Sequence, residues 1–350
     1  MENVEMKTVS APEEKDYILE VNGLKQYFPI AKDFFGKPIA HLKAVDGVSF
    51  KLERGKTLGV VGESGCGKTT LGRTILRLYD VTEGSAKYTT VKDGERVTYD
   101  LATISKKEFY DLRTELQLVF QDPYSSLPPR MTVGAIIGEA VRVHKIVPDA
   151  EVGEYVRGVM ARCGLQPHHY DRYPHEFSGG QRQRICIARA LAVKPKLVIC
   201  DEPVSALDVS IQAQIINLLK KLQREEGMSY IFISHDLSVV KYISDEIAVM
   251  YLGNIVEMGN TREICQNARH PYTQALFSAV PVANPHRKSE PVALEGELPS
   301  PANPPKGCKF HTRCRHCTEK CREEAPEMTE VTPGHFVACH LVSTEGADAE

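Results

Sequence analysis

Three short, continuous apolar runs stand out along the chain: Thr57-Leu-Gly-Val-Val61, Leu197-Val-Ile-Cys200 and Tyr230-Ile-Phe-Ile-Ser234. Runs without polar alternation predict strands buried on both faces, as in the centre of a parallel sheet. Each run ends in residues of a different kind. A glycine-rich stretch follows Val61, Asp201-Glu202 follows Cys200, and His235 follows Ser234. Ligands in such sheets sit beyond the carboxyl ends of the strands. Thr69 to Leu78 reads as a helix with Leu71, Ile75 and Leu78 on one face. Ser210 to Glu226 reads likewise, with Ile211, Ile215, Leu218, Leu219 and Leu222. Alternation around Asp93-Gly94, and from Ile247 to Gly259 across Gly253-Asn254, predicts two antiparallel hairpins. From about Pro123 to Gln183 the chain is rich in Tyr, His and Arg with helical stretches, which predicts a separate helical lobe. Prolines at 281, 285, 291, 299, 301, 304 and 305 exclude a regular helix or central strand there and leave an extended, semi-rigid arm.

Composition narrows this picture only modestly. At 350 residues, 42% hydrophobic and 25% charged, the chain fits about two domains of a globular protein. A net charge of -3 gives no electrostatic footprint for nucleic acid. No apolar run approaches the roughly 18 residues that span a bilayer. The polar, acidic stretch Met1 to Asp16 does not read as a signal peptide. The expectation is a cytoplasmic chain whose membrane association comes through a partner.

The candidate chemistry begins at Gly62-Glu63-Ser64-Gly65-Cys66-Gly67-Lys68-Thr69, a phosphate-binding loop of the form G-x-x-x-x-G-K-[ST], followed by Thr70. Its glycines admit backbone conformations closed to other residues. Amides of the loop and of the following helix start point at phosphate oxygens. Lys68 is placed to reach the beta and gamma phosphates, and Thr69 to offer its hydroxyl to Mg2+. Asp201 can hold Mg2+, and Glu202 can act as general base toward an attacking water. About 110 residues after Lys68 comes Ser178-Gly179-Gly180-Gln181.

Together these motifs resemble the ATP-binding subunits of ABC transporters, and within them the oligopeptide/dipeptide importer family. The order is Tyr27 or Phe28, the phosphate loop, Gln121, Ser178 to Gln181, Asp201-Glu202, Ser205-Ala-Leu-Asp208 and His235. The resemblance spans about Tyr17 to Leu341. It implies an α/β P-loop cassette with a RecA-like core, an antiparallel β-subdomain and a helical signature lobe. It also implies ATP and Mg2+ as cofactors. Phe28, with Tyr27 as the alternative, would stack on adenine. Gln121 would touch Mg2+ and sense the membrane subunits. Ser178 to Gln181 would contact the gamma phosphate held by an opposite subunit. Asp208 would link the two sites, and His235 would hold the gamma phosphate and orient the water. The family's Ser-Ser-Leu-Asn-Pro-Arg departs here to Ser125-Ser-Leu-Pro128-Pro-Arg130. Outside these motifs, His270-Pro-Tyr-Thr-Gln-Ala-Leu-Phe-Ser-Ala-Val-Pro281 and Leu298 to Cys308 resemble stretches typical of the peptide importers.

The implied organisation is a polar tail (1–16), an ABC ATPase domain (17–280, helical lobe about 122–190), the proline-rich arm (281–305), a Cys-rich metal-binding domain (306–341) and an acidic tail (342–350). Implied partners are two integral membrane permease subunits, a second ABC ATPase subunit forming a heterodimer in preference to a homodimer, and, indirectly, an extracytoplasmic solute-binding protein. No nucleic acid is implied. The place of work is the cytoplasmic face of the membrane. Relatives import dipeptides, oligopeptides, nickel complexes or other small solutes. The competing class, ABC ATPases acting on nucleic acid or ribosomes, carries coiled-coil insertions or two cassettes, and neither is seen here.

Ten cysteines divide into two groups. Cys66, Cys163, Cys186, Cys200 and Cys265 are scattered and read as buried thiols. Cys308, Cys314, Cys317 and Cys321, with Cys339 later, crowd the end of the chain and suit zinc or an iron–sulfur cluster. The resemblance implies Cys308, Cys314, Cys321 and Cys339 as ligands of a [4Fe–4S] cluster, with Zn2+ the alternative. Cys317 is an extra thiol and an alternative ligand, and His311, His316, His335 and His340 lie nearby in sequence.

Overall fold

The computed structural model describes residues 15–35, 38–279 and 296–342. The expected acidic tail, all but the end of the polar N-terminal tail, and the arm through 295 lie outside those residues. Two sheets organise the chain. The first is antiparallel, in the order β2-β1-β4-β5, built from β1 (Tyr17–Lys32), β2 (Pro38–Glu53), β4 (Glu83–Lys92) and β5 (Glu95–Asp100). The β4–β5 hairpin turns at Asp93-Gly94, as the alternation predicts.

The second sheet has eight strands in the order β11-β12-β10-β9-β3-β8-β7-β6. Its parallel centre is β3 (Thr57–Val61), β6 (Leu116–Val119), β7 (Leu197–Asp201) and β8 (Ser229–Ile233), joined by β9 (Glu246–Tyr251). Every residue of β3, β7 and β8 is buried. Alternation explains the continuous apolar runs. Leu197, Ile199, Ile231 and Ile233 face the antiparallel sheet, whereas Val198, Cys200, Tyr230 and Phe232 face the core shared with the helical layer. Both faces are covered, so neither can be polar.

Helix α1 (Lys68–Ile75) follows β3 and stops earlier than Leu78. Arg77 takes φ 51°, which breaks the helix, and Leu78 is exposed. α2 (Lys106–Leu112) carries a capping box between Ser105 and Glu108. The helical lobe is α3 (Val133–Val143), α4 (Val152–Arg162) and α5 (Gly179–Leu191). α6 (Val209–Glu226) ends on Gly227, whose left-handed φ of 67° suits a glycine stop. α7 (Leu237–Ile243), β10 (Asn254–Asn260), α8 (Thr261–Gln266) and α9 (Pro271–Ser278) complete the cassette.

The C-terminal segment carries α10 (Glu319–Glu323), β11 (Thr329–Thr332) and β12 (His335–Val337). The small cysteine-rich lobe expected over 306–341 does not stand by itself. Its hairpin extends the main sheet, with Glu257 opposite Val337 and Met258 opposite Phe336. An unpaired β10 edge would expose backbone donors and acceptors, and burial of Val331 and Val337 fixes the added strands.

Candidate active site

The loop between β3 and α1 is shaped by its glycines. Gly62 has φ 150° and Gly67 φ 108°, and a Cβ at either would lie 2.1 Å from a backbone carbonyl, of Met250 and Ala44 respectively. Lys68 is buried, and its ammonium donates to the carbonyls of Gly62 (2.8 Å) and Glu63 (3.0 Å). Thr69 donates its hydroxyl to Asp201 Oδ1 at 2.7 Å. Asp201 is 1% exposed, and its Oδ2 has no hydrogen-bond partner. Burial pushes this carboxyl above the ordinary carboxylate range, against the Thr69 hydroxyl and the nearby Arg73. The buried Cys66 thiol is also pushed up by burial, with Lys68 acting against it.

Glu202 sits just past β7 with φ 47°, unusual for a residue with a side chain. Gln121 Nε2 donates to Glu202 Oε2 at 2.8 Å, and His235 Nδ1 lies 3.2 Å from the same oxygen. Gln121, Glu202 and His235 thus converge from the ends of β6, β7 and β8. They line a cavity of about 540 Å³ together with Ser64, Gly65, Gly67, Lys68, Thr69 and Thr70. Phe28, Leu42, Ala44 and Pro301 form its apolar end. Of the two aromatic candidates only Phe28 reaches this lining, packed edge-on against Tyr79. Tyr27 turns the other way and donates its hydroxyl to Asp46.

Ser178 caps α5 through a capping box with Gln181: the hydroxyl accepts from Gln181 N–H, and Gln181 Oε1 accepts from Ser178 N–H. Ser178 and Gly179 are exposed, and neither they nor Gly180 and Gln181 belong to the cavity lining. Asp208, the exposed residue before α6, is also outside it. One chain therefore gathers the phosphate loop, Gln121, Glu202 and His235, and leaves Ser178 to Gln181 and Asp208 elsewhere on its surface.

The C-terminal segment reaches the site through contacts that sequence reading misses. Arg313 donates to both carboxylate oxygens of Glu63, at 2.6 and 3.0 Å. Tyr272 Oη accepts from the Glu63 amide at 2.9 Å. Lys309 pairs with Asp46 at 2.8 Å, and Pro301 enters the cavity wall. Contacts this distant in sequence leave no local signal.

The same segment gives the metal expectation no support. Among the described residues no group of three or more His, Cys, Asp or Glu could hold a metal ion. Cys308, Cys314, Cys321 and Cys339 are free thiols; burial, with neighbouring thiols adding to it, pushes Cys308 up to about 11 and raises Cys314 and Cys339 as well. Cys321 Sγ bonds the Thr318 hydroxyl at 3.2 Å, and Cys317 points at the Thr318 carbonyl. Of the histidines, His335 is bonded to Glu257, His311 to the Cys308 carbonyl and His340 to the Glu324 carbonyl.

Comparison with known proteins adds the following. Residues 45–205 match the ABC transporter family, and residues 256–321 match the C-terminal region of oligopeptide/dipeptide transporters. The chain is 53% identical over 332 residues to the oligopeptide transport ATP-binding protein AppF of Bacillus subtilis, covering 94% of this chain and 98% of that one. It is 51% identical over 322 residues to the dipeptide transport ATP-binding protein DppF of Haemophilus influenzae, covering 92% and 96%. Among solved structures, cbiO1 of Clostridium perfringens, described as part of the ABC transporter complex cbiONQ, is similar with a TM-score of 0.58 at 28% identity, covering 72% of this chain and 92% of that one.

Proposed function

This chain belongs to the ABC transporter ATP-binding proteins of the oligopeptide/dipeptide family, and on that premise we propose that its site hydrolyses ATP to power uptake of peptides across a membrane. The observation that carries the chemistry is the Glu202 carboxylate, held by Gln121 and His235 at the rim of the cavity that the phosphate loop floors. Adenine packs at the apolar end against Phe28. Lys68 leaves the carbonyls of Gly62 and Glu63 for the beta and gamma phosphate oxygens. Thr69 and Asp201 would hold Mg2+. The fit rests on their mutual hydrogen bond and on the buried Asp201 Oδ2, which has no hydrogen-bond partner. The bound ion supplies charge neutralisation at the phosphates. Glu202 accepts a proton from water as the water oxygen bonds to the gamma phosphorus. The bond to the bridging oxygen breaks, leaving ADP and phosphate. His235 and Gln121 position that water and the carboxylate that activates it.

The amides at the start of α5 form an anion site away from their own chain's cavity, which supports use in trans. Ser178 to Gln181 then close on the gamma phosphate of a second cassette, with Asp208 at the junction. The preferred partner is a different ATPase subunit. The pair works on two membrane permeases, served by an extracytoplasmic solute-binding protein, from the cytoplasmic face. No helix among the described residues is long and apolar enough to cross a membrane, which fits a peripheral subunit.

Substituting Glu202→Gln tests this reading. Turnover falls by about 10² to 10⁴-fold, while ATP affinity stays within about threefold of the unmodified chain. Phosphate release and equilibrium ATP binding measure the two. Near-normal turnover would remove Glu202 from the role of base. A [4Fe–4S] or Zn2+ centre on Cys308, Cys314, Cys321 and Cys339 enters none of these steps. Iron, sulfide and zinc counted on anaerobically purified protein decide whether they gather around a metal.

A further inference from the structure

Glu63 is the one acidic residue of the phosphate loop. It puts a carboxylate into the loop that must receive a triphosphate, where an uncompensated negative charge opposes binding. The structure compensates it from far along the chain. Arg313, 250 residues away in sequence, donates two N–H bonds to the carboxylate, at 2.6 and 3.0 Å. Its side chain is 6% exposed and that of Glu63 29%, so the pair is largely shielded from water. A planar guanidinium meeting both carboxylate oxygens fixes geometry as well as charge.

The other polar groups of Glu63 are held too. Its N–H donates to Tyr272 Oη at 2.9 Å, and its carbonyl accepts from Lys68 at 3.0 Å. Tyr272 is the tyrosine of the His270-Pro-Tyr stretch and packs with Tyr251 and Phe310, close to the Arg313 guanidinium. When Lys68 moves to phosphate, the bonds to Arg313 and Tyr272 are the side-chain contacts left to hold Glu63. The same C-terminal segment reaches the opposite end of the cavity. Pro301 stands in the wall with Phe28 and accepts from the Lys43 amide at 3.2 Å.

We propose that the C-terminal segment is a working part of the nucleotide site, and that Arg313 is a positioning residue which neutralises Glu63 and holds the first half of the phosphate loop for a triphosphate. The inference rests on the ATPase reading and adds a residue to it. Arg313 does not touch the phosphates. It acts through Glu63, so its loss is felt in proportion to the charge of the ligand.

Equilibrium binding of ATP, ADP and AMP to the full-length chain tests this. Arg313→Gln weakens ATP binding by about tenfold, ADP binding less, and leaves AMP binding within about twofold. Arg313→Lys keeps the charge without the paired bonds and recovers part of the loss; it also serves if the Gln variant unfolds on melting. The double variant Glu63→Gln with Arg313→Gln returns ATP affinity to within about threefold of the unmodified chain, because the unpaired carboxylate is gone. Unchanged ATP affinity in Arg313→Gln overturns the proposal. So does an equal loss for all three nucleotides that Glu63→Gln does not relieve, since that marks a purely structural contact. An unmodified chain that fails to bind ATP refutes the ATPase reading itself, and the inference with it.

Discussion

The phosphate loop and the C-terminal segment meet at one residue, Glu63, but they are built on opposite terms. The loop is local. Eight consecutive residues, two of them glycines pressed against backbone carbonyls, make the whole cradle. The C-terminal segment is dispersed. It grips the cassette through Pro301 and Lys309 on β2, Arg313 on the phosphate loop and His335 on β10. The local device carries charge chemistry, and Gly62 and Gly67 in it tolerate no side chain. The dispersed device spreads its hold over several contacts, so each loss is partial. The difference separates a reaction centre from the frame that keeps it in shape.

The largest effect falls on the local side. Lys68→Ala removes the buried ammonium that now rests on two carbonyls of the loop. ATP affinity drops by about a hundredfold or more, the scale of losing charge-assisted bonds to two phosphates. Melting of the fold changes less by comparison, since the bonds lost lie within the loop itself. A titration with ATP beside a melt of the same sample measures the contrast. Intact ATP affinity would dissolve the distinction between centre and frame.

Legibility in the sequence follows the same division. The strands β3, β7 and β8 could be read because burial on both faces leaves no polar position to confuse the run. Asp201, Glu202 and His235 could be placed because each follows an apolar run, whereas Gln121 came only from the resemblance. The choice between Tyr27 and Phe28 could not be made from the residues alone. Register shifts along β1, including one between Gln26 and Tyr27, spoil the parity that would tell the two faces apart. β6 is four residues long with a partly exposed Gln117, too short to show a period. The bond from Arg313 to Glu63 has no local signature at all. The cysteine spacing suggested a shared ligand set; the Cys308 amide bonds the Cys321 carbonyl, while Cys321 Sγ bonds the Thr318 hydroxyl, and among the described residues no metal-holding group of three or more is present.

A pH experiment acts on the frame. His270 is 1% exposed, and burial is the main reason its imidazole is pushed down to about 4, with Glu257 working the other way. The carboxylate of Glu257 accepts from the His270 amide and from His335 on β12, so the histidine lies where the C-terminal hairpin joins the cassette. The folded value lies below the unfolded one, near 6.5. The unfolded chain therefore binds a proton that the folded chain refuses. Stability from this site is complete above about pH 6.5 and is lost as the pH falls toward 4. By about pH 5 the loss is about 2 kcal/mol. His270→Asn keeps a side chain able to cap α9 and removes this part of the slope. Urea midpoints of the two proteins at about pH 7 and pH 5 give the difference. Parallel pH dependence would mean the histidine is protonated in the fold.

The smallest effect belongs to Lys309 and Asp46, the pair that ties the C-terminal segment to β2. Burial opposes both charges. At Asp46 the hydrogen bonds from Lys309 and Tyr27 overcome it and hold the carboxyl below its usual range; at Lys309 burial prevails and the ammonium is pushed down. The attraction is thus largely cancelled by the cost of drying the lysine. Asp46→Asn leaves that lysine with the Leu252 carbonyl but without its opposing charge and destabilises the fold by about 1 kcal/mol, a shift of about 2 °C in melting. Pairing it with Lys309→Met replaces both charges, and stability returns to within about 0.5 kcal/mol of the starting value. Such recovery means the pair orients the segment more than it stabilises it, as a dispersed frame requires. A double variant no better than Asp46→Asn would instead make this contact a fixed anchor, and the frame would be less dispersed than its contacts suggest.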